Sequence, residues 1–286
     1  MAAVSQASPS KLTVQAPFGL NRGEVAVSVQ TNGVTSNTAR FILVPPGSVA
    51  PILNTDGIVN GASFSAGTSP VASGSILSLF GTNMVPNIAG AIALPLPTQL
   101  LNTTVMIGGI AAPIFFAAPN QINVQMPEEV AGLSSVAVTL NYLNVVGNTV
   151  LLSVAPQAPG IFSLATTGKG PGAVLNQNGS LNGLTNPEHL GNTLQVYATG
   201  LGPAAPPVPT GNAASSSPLS NSINPPSATI DGIPAQVTFA GRSPGFVGLD
   251  QINVVAPPGA STGKPVELVI TAGSNASNTV TVVLVP

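Results

Sequence analysis

The strongest constraint on the fold of this chain is that its sequence repeats. Residues 121–127 (QINVQMP) return 130 residues later as residues 251–257 (QINVVAP), and the correspondence continues at this offset to Pro156 and Pro286. A repeat of this length means that one structural unit occurs more than once. Each copy must then bury its own apolar side chains, and equivalent positions of the copies are expected to have equivalent environments.

Two more blocks extend the repeat upstream. Residues 107–117 match residues 230–240 at an offset of 123, and residues 74–82 match residues 191–199 at an offset of 117. The second copy therefore carries seven additional residues around positions 241–250. The two copies are predicted to be separate units of ordinary domain size.

A third, partial copy opens the chain. Residues 12–17 resemble residues 252–257, and residues 36–38 with 43–45 repeat residues 277–279 with 284–286, so only the second half of a unit is present. The predicted division is a partial repeat unit at 1–45, a Pro/Gly linker at 46–56, unit 1 at 57–159 and unit 2 at 160–286.

The local pattern within each unit predicts β-strands. Apolar and polar residues alternate in residues 136–140 and 266–270, as expected for strands with one buried face. Asn-Gly, Gly-Gly and Asp-Gly pairs at 32–33, 108–109 and 231–232 supply the positive φ angles of hairpin turns. No apolar period of 3.6 residues is long enough for a helix. We therefore predict an all-β chain, a tandem of Greek-key sandwiches preceded by a partial β unit.

The partial unit lacks the strands that would cover it. A sheet of two or three strands is not independently stable, and its open edges favour pairing. Residues 11–45 therefore have three possible fates: addition to the neighbouring unit, partial disorder, or completion by strands from another chain or from a lost upstream segment. We expect a truncation product that forms a small hairpin-like sheet with few contacts to the two full units.

Composition excludes several classes of protein. Six Lys and Arg residues and a net charge of −2 leave no basic surface for nucleic acid. With no cysteine, the chain has no disulfide, Cys-ligated metal or thiol chemistry. The most apolar stretch, residues 75–97, is interrupted by Asn83 and Pro86, so no membrane span is predicted. Residues 1–11 have no charged start followed by an apolar block, so no signal peptide is predicted either.

No catalytic residue, metal or cofactor is predicted. His189 is the sole histidine, no Gly-x-Ser-x-Gly motif accompanies it, and we interpret it as an exposed loop residue. Glu128 and Glu129 are adjacent, so they would face opposite ways in an extended chain and are expected in a solvated loop. Asp231 and Asp250 are isolated in sequence and do not form a calcium-binding pattern.

The repeated Gln-Ile-Asn-Val motif contains the candidate site. Its Ile and Val residues share one face and should enter the core, while the amides occupy the other face: Gln121, Asn123, Gln251 and Asn253. Two interpretations stand, a polar strip for sugar or peptide ligands and amides that only bond neighbouring turns and strands. The aromatic residues at repeat-equivalent positions are expected in the core: Phe80, Phe116, Tyr197 and Phe239.

Five segments carry a resemblance to a known family: GIVNGASF at 57–64, GSILSLFGTN at 74–83, APGIF at 158–162, YATGLG at 197–202 and PGFVGLDQIN at 244–253. In this order they resemble the Solibacter-type C-terminal domain family of acidobacterial secreted or surface proteins. The resemblance implies an Ig-like tandem at the extracellular or cell surface, without assigned catalytic residues. We therefore expect a non-enzymatic structural or adhesion module that contacts glycans or surface proteins. The alternative is a carbohydrate-binding accessory module.

Overall fold

The computed structural model describes residues 2–8, 11–15, 23–43, 49–65 and 67–286. The all-β prediction is confirmed, since the described residues form 28 strands and one short 3-10 helix, Glu128–Val130. No helix among these residues has the length and apolar character needed to cross a bilayer. The first residues of the predicted linker, 46–48, and the repeat matches at 16–17 and 44–45 lie outside the described residues.

The N-terminal residues 1–45 are called the half unit, and those of them that the structure describes form six strands in three two-stranded antiparallel sheets. The pairs are β1 with β2, β3 with β6 and β4 with β5. The strands are β1 (Ala3–Ser8), β2 (Lys11–Gln15), β3 (Gly23–Val27), β4 (Gln30–Thr31), β5 (Val34–Thr35) and β6 (Ala39–Leu43).

Unit 1 is a sandwich of two antiparallel sheets. Its strands are β7 (Ile52–Asn60), β8 (Ile76–Thr82), β9 (Ala89–Gly90), β10 (Thr103–Ile107), β11 (Ile110–Ala111), β12 (Ile114–Ala118), β13 (Gln121–Gln125), β14 (Ser135–Tyr142) and β15 (Val145–Ser153). One sheet has the order β7-β8-β13-β12-β9 and the other β11-β10-β14-β15. β7 begins at Ile52, inside the segment predicted as linker, because Leu53 is buried in the core at 1% exposure.

Unit 2 repeats this architecture with additional short strands. The first sheet has the order β16-β19-β25-β24-β21-β20, with β17 also on β19, and the second β18-β28-β26-β22-β23, with β27 on β26. The strands are β16 (Gly160–Ile161), β17 (Val174–Leu175), β18 (Glu188–His189), β19 (Thr193–Thr199), β20 (Ala204–Ala205), β21 (Asn221–Ser222), β22 (Ser227–Ile230), β23 (Ile233–Ala235), β24 (Val237–Arg242), β25 (Asp250–Val255), β26 (Pro265–Ala272), β27 (Asn275–Ala276) and β28 (Val280–Val285).

The two units agree in strand pairing and in one hydrogen-bonded fastening. β8 pairs with β13 as β19 pairs with β25, and the bulge of β12 recurs in β24. In unit 1, Asn148 Oδ1 accepts the Leu53 N–H at 2.8 Å and its Nδ2 donates to the Leu53 carbonyl at 2.9 Å. Asn278 makes the same two bonds to Ile161, at 2.8 and 2.9 Å. Asn148 thus fastens β7 to β15, and Asn278, two residues before β28, holds β16 in the same way.

Each unit has its own apolar core between its two sheets. The inward residues of the Gln-Ile-Asn-Val motif lie in these cores, as predicted. Ile122, Val124, Ile252 and Val254 are all 0% exposed. A strand with alternate residues buried has its remaining side chains on the outer face of the sheet, which fixes where the amides lie.

Where the structure describes it, the half unit reproduces the register of unit 2. β1 and β2 share the bulged pairing of β24 and β25, and Ser36 Oγ accepts the Val29 N–H as Ser277 Oγ accepts that of Ile270. β3 and β6 lie against β15 of unit 1, although no ladder joins them in the described residues. Among the described strands, the main contacts of the sheet β3–β6 with the full units are thus those with β15, which is an edge strand of unit 1.

Candidate functional site

The four predicted amide residues form two equivalent pairs on the outer sheet faces. Gln121 Nε2 donates to Asn123 Oδ1 at 2.9 Å, and Gln251 Nε2 donates to Asn253 Oδ1 at the same distance. All four side chains are half-buried. Each pair joins residues two apart on one strand, so the amides are held parallel to the sheet surface. The Asn side-chain NH2 groups and the Gln carbonyls have no partner among the described residues, and they can bond a ligand.

Aromatic rings border the amide pair of unit 1, contrary to the expectation that they are core residues. Phe80 lies directly opposite Gln121 in the ladder, and Phe116 lies opposite Asn123, so both are on the outer face. Phe80 is outward because it follows the buried Leu79. Phe116 is outward because a bulge in β12 shifts the register before it.

Unit 2 has the same arrangement. Tyr197 lies opposite Gln251, and Phe239 lies opposite Asn253 after the equivalent bulge in β24. All of these rings are half-buried. We call each group an amide–aromatic patch: patch 1 is Phe80, Phe116, Gln121 and Asn123, and patch 2 is Tyr197, Phe239, Gln251 and Asn253. A patch combines ring faces with amide donors and acceptors and carries no charge, which suits a neutral ligand with apolar faces and hydroxyl groups.

His189 is exposed, as predicted, although it lies in the short strand β18 rather than in a loop. Its Nδ1 lies 2.6 Å from the Pro286 carbonyl oxygen. The adjacent Glu188 is buried, and it accepts hydrogen bonds from Asn192 Nδ2 and from the main-chain N–H groups of Gln177 and His189. Burial raises the pKa of Glu188, but the hydrogen bonds together lower it by a larger amount. The pKa of Glu188 therefore lies below its ordinary value. Glu188 therefore organises the surrounding loops.

A buried ion network joins the two units, and sequence reasoning did not find it. Arg242 is 2% exposed; its Nη1 donates to Asp250 Oδ1 at 2.8 Å, and its Nη2 donates to Glu128 Oε1 of unit 1 at 2.6 Å. Glu128 is thus paired rather than in a solvated loop. Arg242 and Asp250 lie at the two ends of the seven-residue insertion of unit 2. This insertion is the feature of the sequence that could have indicated a contact absent from unit 1.

The carboxyl groups of this network have raised pKa values. Burial raises the pKa of Asp250, which is fully enclosed, and Arg242 beside it only partly offsets that effect. Burial likewise raises the pKa of Glu128 against the lowering effect of Arg242. Among the residues that the structure describes, no three His, Asp or Glu side chains converge as metal ligands would. Through Glu128 and Arg242, the ion network links unit 1 to unit 2.

Comparison with solved structures gives similarities at low identity. A surface glycan-binding protein SGBP-B of Bacteroides ovatus, in complex with a mixed-linkage heptasaccharide, is 16% identical with a TM-score of 0.36, covering 97% of this chain and 58% of that one. SGBP-B from a xyloglucan utilization locus of Bacteroides uniformis is 12% identical with a TM-score of 0.27, covering 82% of this chain and 49% of that one. Domains 5–6 of the S-layer protein SbsC are 14% identical with a TM-score of 0.25, covering 82% and 98%.

The chain spans about half the length of the two SGBP-B proteins. No curated protein matches the sequence. Residues 62–155 match the IPT/TIG domain, an Ig-like sandwich. These residues include most of unit 1, whose two antiparallel sheets are described above. Unit 1 is therefore similar to an Ig-like IPT/TIG domain over these residues.

Proposed function

We propose that this chain is a non-enzymatic module of extracellular or cell-surface type, in which Ig-like repeats have a structural or adhesive role. The observation that carries the proposal is the junction of the two units. The buried Arg242 pairs with carboxylates from both units, and this makes the tandem stiff. A stiff tandem suits a protein that holds binding surfaces or other domains at a fixed distance. The proposed division is the half unit at 1–45, a linker at 46–56, unit 1 at 57–159 and unit 2 at 160–286. The first strand of unit 1 begins within this linker, at Ile52.

The non-enzymatic part of the proposal has a direct test. His189 is the group best suited to general base chemistry at neutral pH. His189→Ala should leave the unfolding free energy and every surface-binding property unchanged. Loss of a hydrolytic activity on this single change, measured with chromogenic ester and glycoside substrates, contradicts the proposal.

The second candidate function is carbohydrate binding, and the outward rings of the amide–aromatic patches favour it. A ring face beside amide groups offers both apolar contact and hydrogen bonding to a sugar. The patches occur at equivalent positions in both units, so the chain has two of them. A glycan array that includes mixed-linkage β-glucan separates the candidates, because reproducible binding to one glycan class supports recognition and its absence supports a passive surface.

Matched variants tie any binding to the patches. Phe80→Ala combined with Tyr197→Ala removes one ring from each patch, and array binding should fall to background. Phe246→Ala is the control, since this phenyl ring is 56% exposed on the inserted loop and lies outside both patches. If the control loses binding and the double variant keeps it, glycan recognition lies elsewhere on the chain.

A further inference from the structure

Each amide–aromatic patch is built from three adjacent strands of a single sheet. In patch 1, Gln121 and Asn123 lie on the central strand β13, Phe80 lies on β8 and Phe116 lies on β12. Patch 2 repeats this arrangement on β25, β19 and β24. All four residues of a patch therefore come from one unit, so the geometry within a patch does not depend on how the two units are oriented.

The two rings of a patch stand at opposite ends of a diagonal across these strands. Phe80 pairs with Gln121, whereas Phe116 pairs with Asn123, two residues further along β13. Two strand spacings and two residues along the strand separate the rings, which places their Cα atoms about 12 Å apart. The rings of patch 2 have the same offset. A glycan segment as long as a trisaccharide spans this distance.

The amide groups lie between the rings. In both patches Gln Nε2 donates to Asn Oδ1 at 2.9 Å, so the Gln carbonyl oxygen and the Asn NH2 group are left for a ligand. Rings at both ends allow two sugar faces to stack, and the amides in the middle can bond the hydroxyl groups of a central sugar. A single patch thus provides every contact that a short neutral glycan segment needs.

Unit 2 covers the sheet of unit 1 just beyond patch 1. The outward residues at this end of β8 and β13 are Ile76 and Gln125, which pair with each other. Gly211 N–H donates to Gln125 Oε1 at 2.6 Å, and a Cβ atom at Gly248 would be 3.1 Å from Ile76 Cγ1. The strand direction towards unit 2 is therefore closed to a ligand of patch 1, and the two patches are separate from each other.

Buried groups hold the two units together at this contact. Thr199 Oγ1, at the end of β19, accepts the Ile76 N–H at 2.9 Å and donates to the Gly248 carbonyl at 2.7 Å. Arg242 adds the ion pair to Glu128. Buried and paired polar groups resist displacement, because separating them leaves unpaired charges and donors. The junction therefore keeps the two separate patches on one stiff body.

We propose that the chain is bivalent: each patch binds a trisaccharide-length segment of a neutral polysaccharide, and one chain cross-links two polysaccharide strands. This inference rests on the proposed carbohydrate recognition. Two patches on one body convert weak binding at each into lasting attachment to a polymer network, because the second contact forms at a high effective concentration. Neither patch contains a charged side chain, which favours a neutral polymer.

Calorimetric titration of the full chain with oligosaccharides of mixed-linkage β-glucan tests the two sites. We expect the trisaccharide to bind two sites per chain, and about tenfold more tightly than the disaccharide, which reaches only one ring of a patch. Phe80→Ala with Asn123→Ala removes patch 1, and Tyr197→Ala with Asn253→Ala removes patch 2. Either double variant should keep one trisaccharide site of unchanged affinity.

Dynamic light scattering of mixtures with soluble mixed-linkage β-glucan tests the cross-linking. The parent chain should form aggregates whose size passes through a maximum as protein is added, since excess protein covers each polymer with singly attached chains. Either double variant should bind the polymer without forming aggregates. Phe246→Ala is the matched control and should cross-link as the parent does, because its phenyl ring is 56% exposed and lies outside both patches.

The outcomes separate the inference from the function on which it rests. If the oligosaccharides bind but the parent chain forms no aggregates with the polymer, or if only one site per chain is found, bivalence is wrong and carbohydrate recognition stands. Equal affinities of the disaccharide and the trisaccharide contradict the diagonal length of the sites. If neither oligosaccharide nor polymer binds, both proposals are overturned. Circular dichroism and thermal unfolding of each double variant distinguish loss of a patch from loss of the fold.

Discussion

At Arg242, a guanidinium group is almost completely buried and yet ionised, because carboxylates from both units surround it. Two of its nitrogens bond Asp250 and Glu128, and Nη2 also donates to the Gly202 carbonyl at 3.1 Å. Its Nε has no partner in the described residues. The desolvation cost of such a group is offset only while its partners remain.

Loss of the Arg242 charge should therefore destabilise the protein strongly. Arg242→Met leaves the Asp250 carboxylate buried without a counter-ion, and we expect the unfolding free energy to fall by about 3–5 kcal/mol. Urea unfolding followed by circular dichroism measures the change. Lys169→Met removes an exposed positive charge and is the control, with an expected effect below about 0.5 kcal/mol. Equal effects of the two variants contradict the stabilising role of the network.

Glu188 predicts a pH dependence of stability. Its folded-state pKa is lowered despite the opposing effect of burial, so the ionised carboxylate stabilises the fold above the unfolded-state pKa. That stabilisation is lost as the pH falls through the folded-state pKa. Glu188→Gln should be less stable than the parent chain at neutral pH, and urea unfolding should show the difference shrinking in acid. A constant difference across the pH range contradicts this role.

One asparagine fastens the first strand of each full unit, Asn148 in unit 1 and Asn278 in unit 2. The equivalent asparagine of the half unit serves as a control. Asn148→Asp replaces the Nδ2 donor to the Leu53 carbonyl with an acceptor, which should cost about 1–3 kcal/mol and speed amide exchange in β7. Asn37 is equivalent by repeat but exposed. Asn37→Asp should change the unfolding free energy by less than about 0.5 kcal/mol. Hydrogen exchange with urea unfolding checks both, and equal losses show that the fastening is not specific.

Strand alternation made much of the fold predictable. The Gln-Ile-Asn-Val pattern placed Ile122 and Ile252 inside and the amides outside, because one face of each strand is buried. The prediction that the rings lie in the core was wrong. The repeat indicates that Phe80 and Tyr197 have the same environment, but not whether that environment is the core or the outer face. The alternation around buried Leu79 places Phe80 outward, whereas the bulge before Phe116 follows from pairing and has no sequence pattern of its own.

The junction was less predictable, because it joins residues far apart in sequence. Glu128 and Arg242 belong to different units, and neither is in a motif that requires the other. The insertion showed where unit 2 departs from unit 1, but not what it contacts. Side-chain partners across a junction depend on how whole units pack, which local periodicity does not encode.

The three copies of the repeat differ in how completely their apolar faces are covered. Ile252 and Val254 are 0% exposed in unit 2, whereas the equivalent Leu12 and Val14 are 44% and 45% exposed in the half unit. The same strand pattern therefore produces a core only where the first half of the repeat is present. Completion of the half unit by another chain remains a proposal, and its free apolar face is the observation that supports it.

We expect the insertion of unit 2 to hold the two units together, because the residues at its ends form the ion network of the junction. Ala118 pairs with Gln121 across Pro119-Asn120, and Gly241 pairs with Gln251 in the same register across residues 242–250. Replacing residues 242–250 by Pro-Asn thus restores the hairpin of unit 1 and removes Arg242 together with Asp250, so neither of them is left buried without the other.

We expect unit 2 of this graft to keep its fold, because its core residues lie outside the replaced segment. Glu128 loses its partner, however, and the junction loses its ion pair and the Gly248 contact. Small-angle scattering should then show a larger maximum dimension than for the parent chain, and calorimetry should resolve two transitions where the parent shows one, since the units no longer unfold together. Lys169→Met again serves as the control for a lost charge. A scattering profile identical to that of the parent would mean that the remaining contacts through Thr199 and Gly211 hold the units without the insertion.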